Sequence, residues 1–188
     1  ALSCTWLSLG KSCPADEVVV VMPCDPYTES GYFSTIARMA DCVREGAAEL
    51  VLMGIKPANP STRYGYVVPE PAEAGCPWHR VSRFTEKPDA ATAVRLLEEG
   101  AWWNGGVFAF RLGYLTDIVS RYVAAETFEE LRGRYSELPK ISFDYEVAEK
   151  AESVAVVAYE GKWKDLGTWN ALCEELPEPV TGNGLLGP

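Results

Sequence analysis

Residues 17–22, Glu-Val-Val-Val-Val-Met, are apolar at nearly every position and β-branched at four in a row, the pattern of a buried strand in a parallel sheet. The run stops at Pro23-Cys24-Asp25-Pro26, which puts Asp25 just past the strand's carboxyl end, the edge at which open α/β sheets bind ligands. In residues 31–46, Phe33, Ile36, Ala37, Ala40 and Val43 recur at helical spacing, with Ser30 placed as an N-cap and Gly46 as a stop. Glu49 to Ile55 is a second buried strand, so the order strand, helix, strand predicts a βαβ unit. Residues 56–63, with Pro57, Asn59, Pro60 and Ser61, read as a loop.

Shorter strands follow at Tyr64–Val68 and His79–Phe84, joined by a connection rich in Pro, Glu and Gly at 69–77. A helix over 89–99 has Asp89 as its cap and Gly100 as its stop, and Trp103 to Phe110 is again a strand. Residues 113–138 are mostly helical with a break near Ala125-Glu126-Thr127. Ser142 to Ala151 is a helix capped by Ser142, Val154–Tyr159 a strand, and Gly167–Glu175 a last helix. Pro177 and Pro179 close the compact part. The expected organisation is an irregular segment at 1–16, an α/β domain at 17–176 and a tail at 177–188.

Composition narrows the class. With 188 residues, 47% apolar and 23% charged, the chain has the make-up of one soluble globular domain. Its 17 basic against 27 acidic side chains give a net charge of −10, which argues against nucleic acid as a partner. No run reaches the length of a membrane span, and the apolar start Ala1–Leu7 lacks the basic flank and cleavage site of a secretory signal. Cys4, Cys13, Cys24, Cys42, Cys76 and Cys173 show no Cys-x-x-Cys spacing, so reduced thiols and a cytoplasmic location are expected. His79 is the only histidine and no cysteines cluster, which argues against a zinc site.

Three segments carry the candidate chemistry: Phe84-Thr85-Glu86-Lys87-Pro88, Trp102-Trp103-Asn104-Gly105-Gly106-Val107-Phe108 and Trp163-Lys164-Asp165-Leu166-Gly167-Thr168-Trp169. Each sets one or two polar side chains among aromatics and glycine, as sites for small polar ligands do. Taken singly, each reads equally well as a core aromatic beside a turn, and Glu86-Lys87-Pro88 as a surface turn. In order and wording the three resemble the sugar-nucleotide pyrophosphorylases, and among them the mannose-1-phosphate guanylyltransferases. Val20-Val21-Met22-Pro23-Cys24-Asp25, Gly54-Ile55-Lys56-Pro57, Thr62-Arg63-Tyr64-Gly65-Tyr66-Val67 and Ser142-Phe143-Asp144-Tyr145-Glu146-Val147-Ala148-Glu149-Lys150 support the match, which runs from Glu17 to Trp169.

The resemblance implies an α/β, Rossmann-like nucleotidyltransferase fold, a mainly parallel sheet flanked by helices with an antiparallel excursion for the sugar. It implies attack of a sugar 1-phosphate oxygen on the α-phosphorus of GTP, a reaction dominated by positioning and charge neutralisation. Asp25 and Asp165 are then the metal candidates, for Mg²⁺, which takes hard oxygen ligands and usually only one or two carboxylates. Lys87 would serve the sugar's phosphate, Glu86 its hydroxyls, and Asn104 a vicinal diol through a donor and an acceptor on one side chain. Gly65 would admit the sugar where a Cβ would clash. Asp144 would orient the site and Lys150 would serve a phosphate.

Departures from the family are equally plain. Cys24-Asp25-Pro26 stands where Ser-Asp-His is usual, and Asn104-Gly105-Gly106 where Asn-Ser-Gly is usual. The glycine-rich loop that cradles nucleotide phosphates on backbone N–H groups has no counterpart. Ser8-Leu9-Gly10-Lys11-Ser12 ends like a P-loop, but Thr5 stands where that pattern needs its first glycine. Two or three βα units that would precede Glu17 are absent by comparison, and Thr181–Gly187 is similar to the start of the β-helical region that often follows. The expectations are a sugar-phosphate and metal half-site, mannose 1-phosphate as ligand and GTP bound weakly if at all. A bare sheet edge would favour a homo-oligomer. A non-catalytic binding or regulatory module, or an enzyme for another hexose 1-phosphate, are the alternatives.

Overall fold

The computed structural model describes residues 13–72 and 75–173, together with Thr5. The P-loop-like Ser8–Ser12 and the tail from 177 onward lie outside the described residues. In chain order the elements are β1 (Val18–Val21), β2 (Pro26–Thr28), α1 (Gly31–Arg44), β3 (Leu50–Ile55), β4 (Tyr66–Pro69), β5 (His79–Thr85) and α2 (Ala90–Glu98). There follow β6 (Trp102–Arg111), α3 (Leu112–Ser120), α4 (Phe128–Gly133), a 3₁₀ turn (Tyr135–Glu137), a π-helical turn (Asp144–Ala148), β7 (Val154–Tyr159), β8 (Trp163–Asp165) and α5 (Trp169–Cys173).

A six-stranded sheet in the order β1-β6-β3-β7-β5-β4 forms the core, and β4 also pairs with β6, so five of its strands close on themselves. β3 and β7 are parallel neighbours, while β6 runs antiparallel to β1, β3 and β4. β1, β3, β4 and β7 therefore share one direction, and β5 and β6 oppose them. This is an α/β fold with a mixed sheet.

Alternation along the strands builds two cores, because successive side chains point to opposite faces. Val51, Met53 and Ile55 of β3, Val107 and Ala109 of β6 and Val157 of β7 pack under α1 and α2, against Met39, Val43, Ala93 and Leu96. Leu50, Leu52, Phe108, Phe110, Val154 and Val156 face the other way, onto Leu115, Val119, Leu131 and Val147. A strand apolar on every residue is thus covered on both sides, and β3 is buried throughout.

Several expectations are corrected. β1 is half-buried, because among the described residues it has a strand neighbour, β6, on one side alone. The helix expected over Ser142–Ala151 is a five-residue π-helical turn, although Ser142 Oγ does accept from Tyr145 N at 3.3 Å as an N-cap would. The helical stretch at 113–138 divides at 121–127, where Thr127 and Glu130 form a capping box at the head of α4. β2 and β8 pair with each other in a separate antiparallel ribbon that the hydrophobic pattern does not announce.

Candidate functional site

Glu86 lies in the short turn between β5 and α2. Asp89 fixes that turn from the far side, its carboxylate accepting from Thr92 N at 2.7 Å as the cap of α2. Between them Lys87 takes φ +42°, a left-handed conformation that costs an L side chain about 1–2 kcal/mol. Its ammonium turns back on the preceding residue and donates to Glu86 Oε1 at 2.7 Å.

The Glu86 side chain is 4% exposed and that of Lys87 51%, so the pair has a buried acidic end and a solvent-facing basic end. Glu86 Oε2 is buried and has no hydrogen-bond partner. Burial pushes the Glu86 carboxyl above its usual range, Asp144 and Glu149 push it the same way, and Lys87 opposes them. The hydrogen bond to Glu86 in turn raises Lys87. An ionisable oxygen taken out of water and left unpaired is costly, and a ligand hydroxyl would supply the missing donor.

Gly65 and Asn104 stand beside that oxygen. A Cβ on Gly65 would lie 2.5 Å from Glu86 Oε2, 3.0 Å from Phe84 Cζ and 3.4 Å from Asn104 Cβ. Asn104 N donates to Gly65 O at 2.7 Å, tying the residue before β4 to β6. Asn104 pairs with Gly54 near the carboxyl end of β3, so the cluster sits at the edge where α/β sheets bind ligands. The Asn104 amide is engaged at both ends: Nδ2 donates to Asp144 Oδ1 at 2.9 Å, and Oδ1 accepts from Gly106 N at 3.1 Å. Phe143 anchors the π-helical turn that carries Asp144, its ring 4.8 Å from that of Phe108 and 5.9 Å from that of Phe110. Glu86, Lys87, Gly65, Asn104 and Asp144 therefore meet in one place, from four separate stretches of chain.

Lys150 does not join them. It follows the π-helical turn and donates to Glu146 at 2.7 Å, and Glu146 also accepts from Tyr122. Asp25 and Asp165 are brought to one end of the β2–β8 ribbon. Pro26 pairs with Asp165 across it, so both carboxylates sit at one end. Asp25 is exposed and Asp165 half-buried, and Asp165 Oδ1 accepts from Gly167 N at 2.9 Å. Among the described residues no group of three or more His, Cys, Asp or Glu could hold a metal. Two carboxylates at a ribbon end nevertheless match the usual share of protein ligands for Mg²⁺, with phosphate and water completing its shell.

On the opposite face Tyr64 packs its ring 4.9 Å from that of Trp103 and 5.5 Å from that of Trp163. The indole N–H groups of both tryptophans are buried without partners. A cavity of about 500 Å³ opens at the far edge of the sheet, near Asp16, Glu49, Tyr114 and Arg111. The Arg111 guanidinium there is spent on the carbonyls of Asp16, Val43 and Arg44.

A mixed α/β sheet with a buried polar cluster near the carboxyl end of β3 is an arrangement suited to a small polar ligand. A family model for nucleotidyl transferases matches residues 6–179, and the chain belongs to that family. It is 32% identical over 190 residues to a mannose-1-phosphate guanylyltransferase of Sinorhizobium fredii, across 92% of this chain and 37% of that protein. With the mannose-1-phosphate guanylyltransferase of Klebsiella pneumoniae it shares 35% over 158 residues, 73% of this chain and 33% of that protein. The structure of a mannose-1-phosphate geranyltransferase from Thermus thermophilus matches with a TM-score of 0.77 at 35% identity, over 92% of this chain and 52% of that one. The chain thus spans about a third of the length of these curated relatives.

Proposed function

We propose that this chain carries the sugar-phosphate and metal half of a mannose-1-phosphate guanylyltransferase site, for the reaction of GTP and mannose 1-phosphate to GDP-mannose and pyrophosphate. The observation that carries the reading is the buried, unpartnered Glu86 Oε2, held between Gly65, Asn104 and Lys87. A sugar hydroxyl donating to that oxygen would satisfy it. The half-exposed Lys87 ammonium provides the positive charge for the phosphate. Identities of 32% and 35% to mannose-1-phosphate guanylyltransferases support mannose 1-phosphate over other hexose phosphates.

Asp25 and Asp165 are the residues that would hold Mg²⁺. Bound there, the ion would neutralise phosphate charge. The chain's own contribution is to orient the sugar and to present Lys87 to its phosphate. For this stretch of chain taken by itself, weak GTP binding is the expectation. Scattered cysteines without Cys-x-x-Cys spacing support a cytoplasmic setting, and burial pushes the Cys42 thiol up to about 11. Among the described residues no helix is long and apolar enough to cross a membrane. Calorimetric titration with mannose 1-phosphate, with and without Mg²⁺ and alongside GTP, tests the proposal. Saturable binding of the sugar phosphate but not of GTP is expected; binding of neither would overturn it.

A further inference from the structure

We infer that Asp144 is a positioning residue: it locks the Asn104 amide in one orientation and thereby decides which end of that amide faces the ligand. The inference rests on the cleft being the hexose-phosphate site. A carboxylate oxygen only accepts hydrogen bonds and a backbone N–H only donates. Asn104 meets one of each, Asp144 Oδ1 at 2.9 Å from Nδ2 and Gly106 N at 3.1 Å from Oδ1. Flipping the amide would set its carbonyl against the carboxylate and its NH₂ against the Gly106 N–H, two repulsive contacts at once. Asn104 is 7% exposed, so water does not soften either contact.

What the clamp leaves for a ligand is one N–H of Nδ2 and one lone pair of Oδ1. Glu86 Oε2 offers an acceptor in the same cluster: a Cβ on Gly65 would lie 2.5 Å from that oxygen and 3.4 Å from Asn104 Cβ. The site is therefore polarised. A hydroxyl at Glu86 must donate, and its neighbour at Asn104 has a fixed donor to accept from. Without Asp144 the amide would rotate and the second contact would lose its direction. Phe143, packed on Phe108 and Phe110, sets the clamp's position from the core.

Two readouts test this. Side-chain NMR of Asn104 should show a protected Nδ2 proton in the wild type, lost in D144A and kept in D144N, whose amide oxygen still accepts. Mannose 1-phosphate affinity should fall about tenfold in D144A, the scale of one buried hydrogen bond. D144N should stay near the wild type, and D144A/N104A should bind no more weakly than N104A. D144L replaces D144A should the latter fail to fold. Losses that add in the double variant would overturn the inference by giving Asp144 a ligand contact of its own. Unchanged affinity in D144A with weakened N104A would overturn it equally. If the wild type binds no mannose 1-phosphate, the proposed function fails, and the amide readout still decides the clamp: protection that survives D144A refutes it.

Discussion

Gly65→Ala is the sharpest probe of the cleft, because it adds one methyl group at the point where three site side chains converge. The added Cβ would sit 2.5 Å from Glu86 Oε2 and 3.0 Å from Phe84 Cζ, well inside van der Waals contact. Gly65 has no positive φ, so alanine suits its backbone. Lower unfolded-state entropy alone would stabilise the variant by about 0.4–1 kcal/mol. Overpacking opposes that with about 1–3 kcal/mol, since the Glu86 carboxylate must leave Lys87 or push on Phe84. The net is destabilising, a Tm lowered by roughly 2–8 °C for a chain of this size, with mannose 1-phosphate binding lost. Gly133→Ala is the control: nothing lies within 4 Å of its Cβ position, and its Tm should stay level or rise. Differential scanning calorimetry of both variants, with ligand titrations, makes the comparison. A G65A protein with wild-type Tm and affinity would refute the packing around Glu86 on which the site is built.

Glu86→Gln should raise Tm at pH 7 while abolishing ligand binding. Glu86 titrates above its ordinary value in the fold, chiefly through burial, so its stabilising contribution is present below the unfolded value and lost as pH rises through the folded one. The advantage of E86Q over wild type should therefore shrink as pH falls to about 4, read from Tm across pH; a constant advantage would deny that the buried charge is its source. Asp25→Asn should leave Tm within about 2 °C, since the side chain is exposed, yet remove any Mg²⁺ enhancement of sugar-phosphate binding in calorimetry. Lys150→Ala should leave mannose 1-phosphate affinity unchanged in the same titration, because its ammonium is held by Glu146. Leu52→Ala, at a fully buried position, should cost about 2–5 kcal/mol by urea unfolding.

Much of the fold was legible because period decides it. The uninterrupted apolar run of β3 and its helical neighbour α1 could hardly read otherwise. Strand direction was not, since four consecutive valines announce burial but not which partner lies alongside. β1 meets β6, some ninety residues later in the chain, and that pairing has no local signal. β2 and β8 are three residues each, too short for any periodicity, and Pro26 reads as a turn. Asp25 was legible as a strand-end aspartate, while its pairing with Asp165 was legible only through family wording. The cluster of Glu86, Lys87, Gly65, Asn104 and Asp144 was nameable from the same wording. The orphan oxygen and the doubly engaged amide were not, because both depend on side chains far apart in sequence. Lys150 shows the converse, a motif residue whose local ion pair carries it away from the cleft.

The most direct test of the account is amide chemical-shift mapping of the ¹⁵N-labelled chain during titration with mannose 1-phosphate. Saturable shifts concentrated at Gly65, Glu86, Lys87 and Asn104–Gly106 are expected. Shifts confined to Asp16, Arg111 and Tyr114 at the opposite edge of the sheet, or no shifts at saturating ligand, would contradict it.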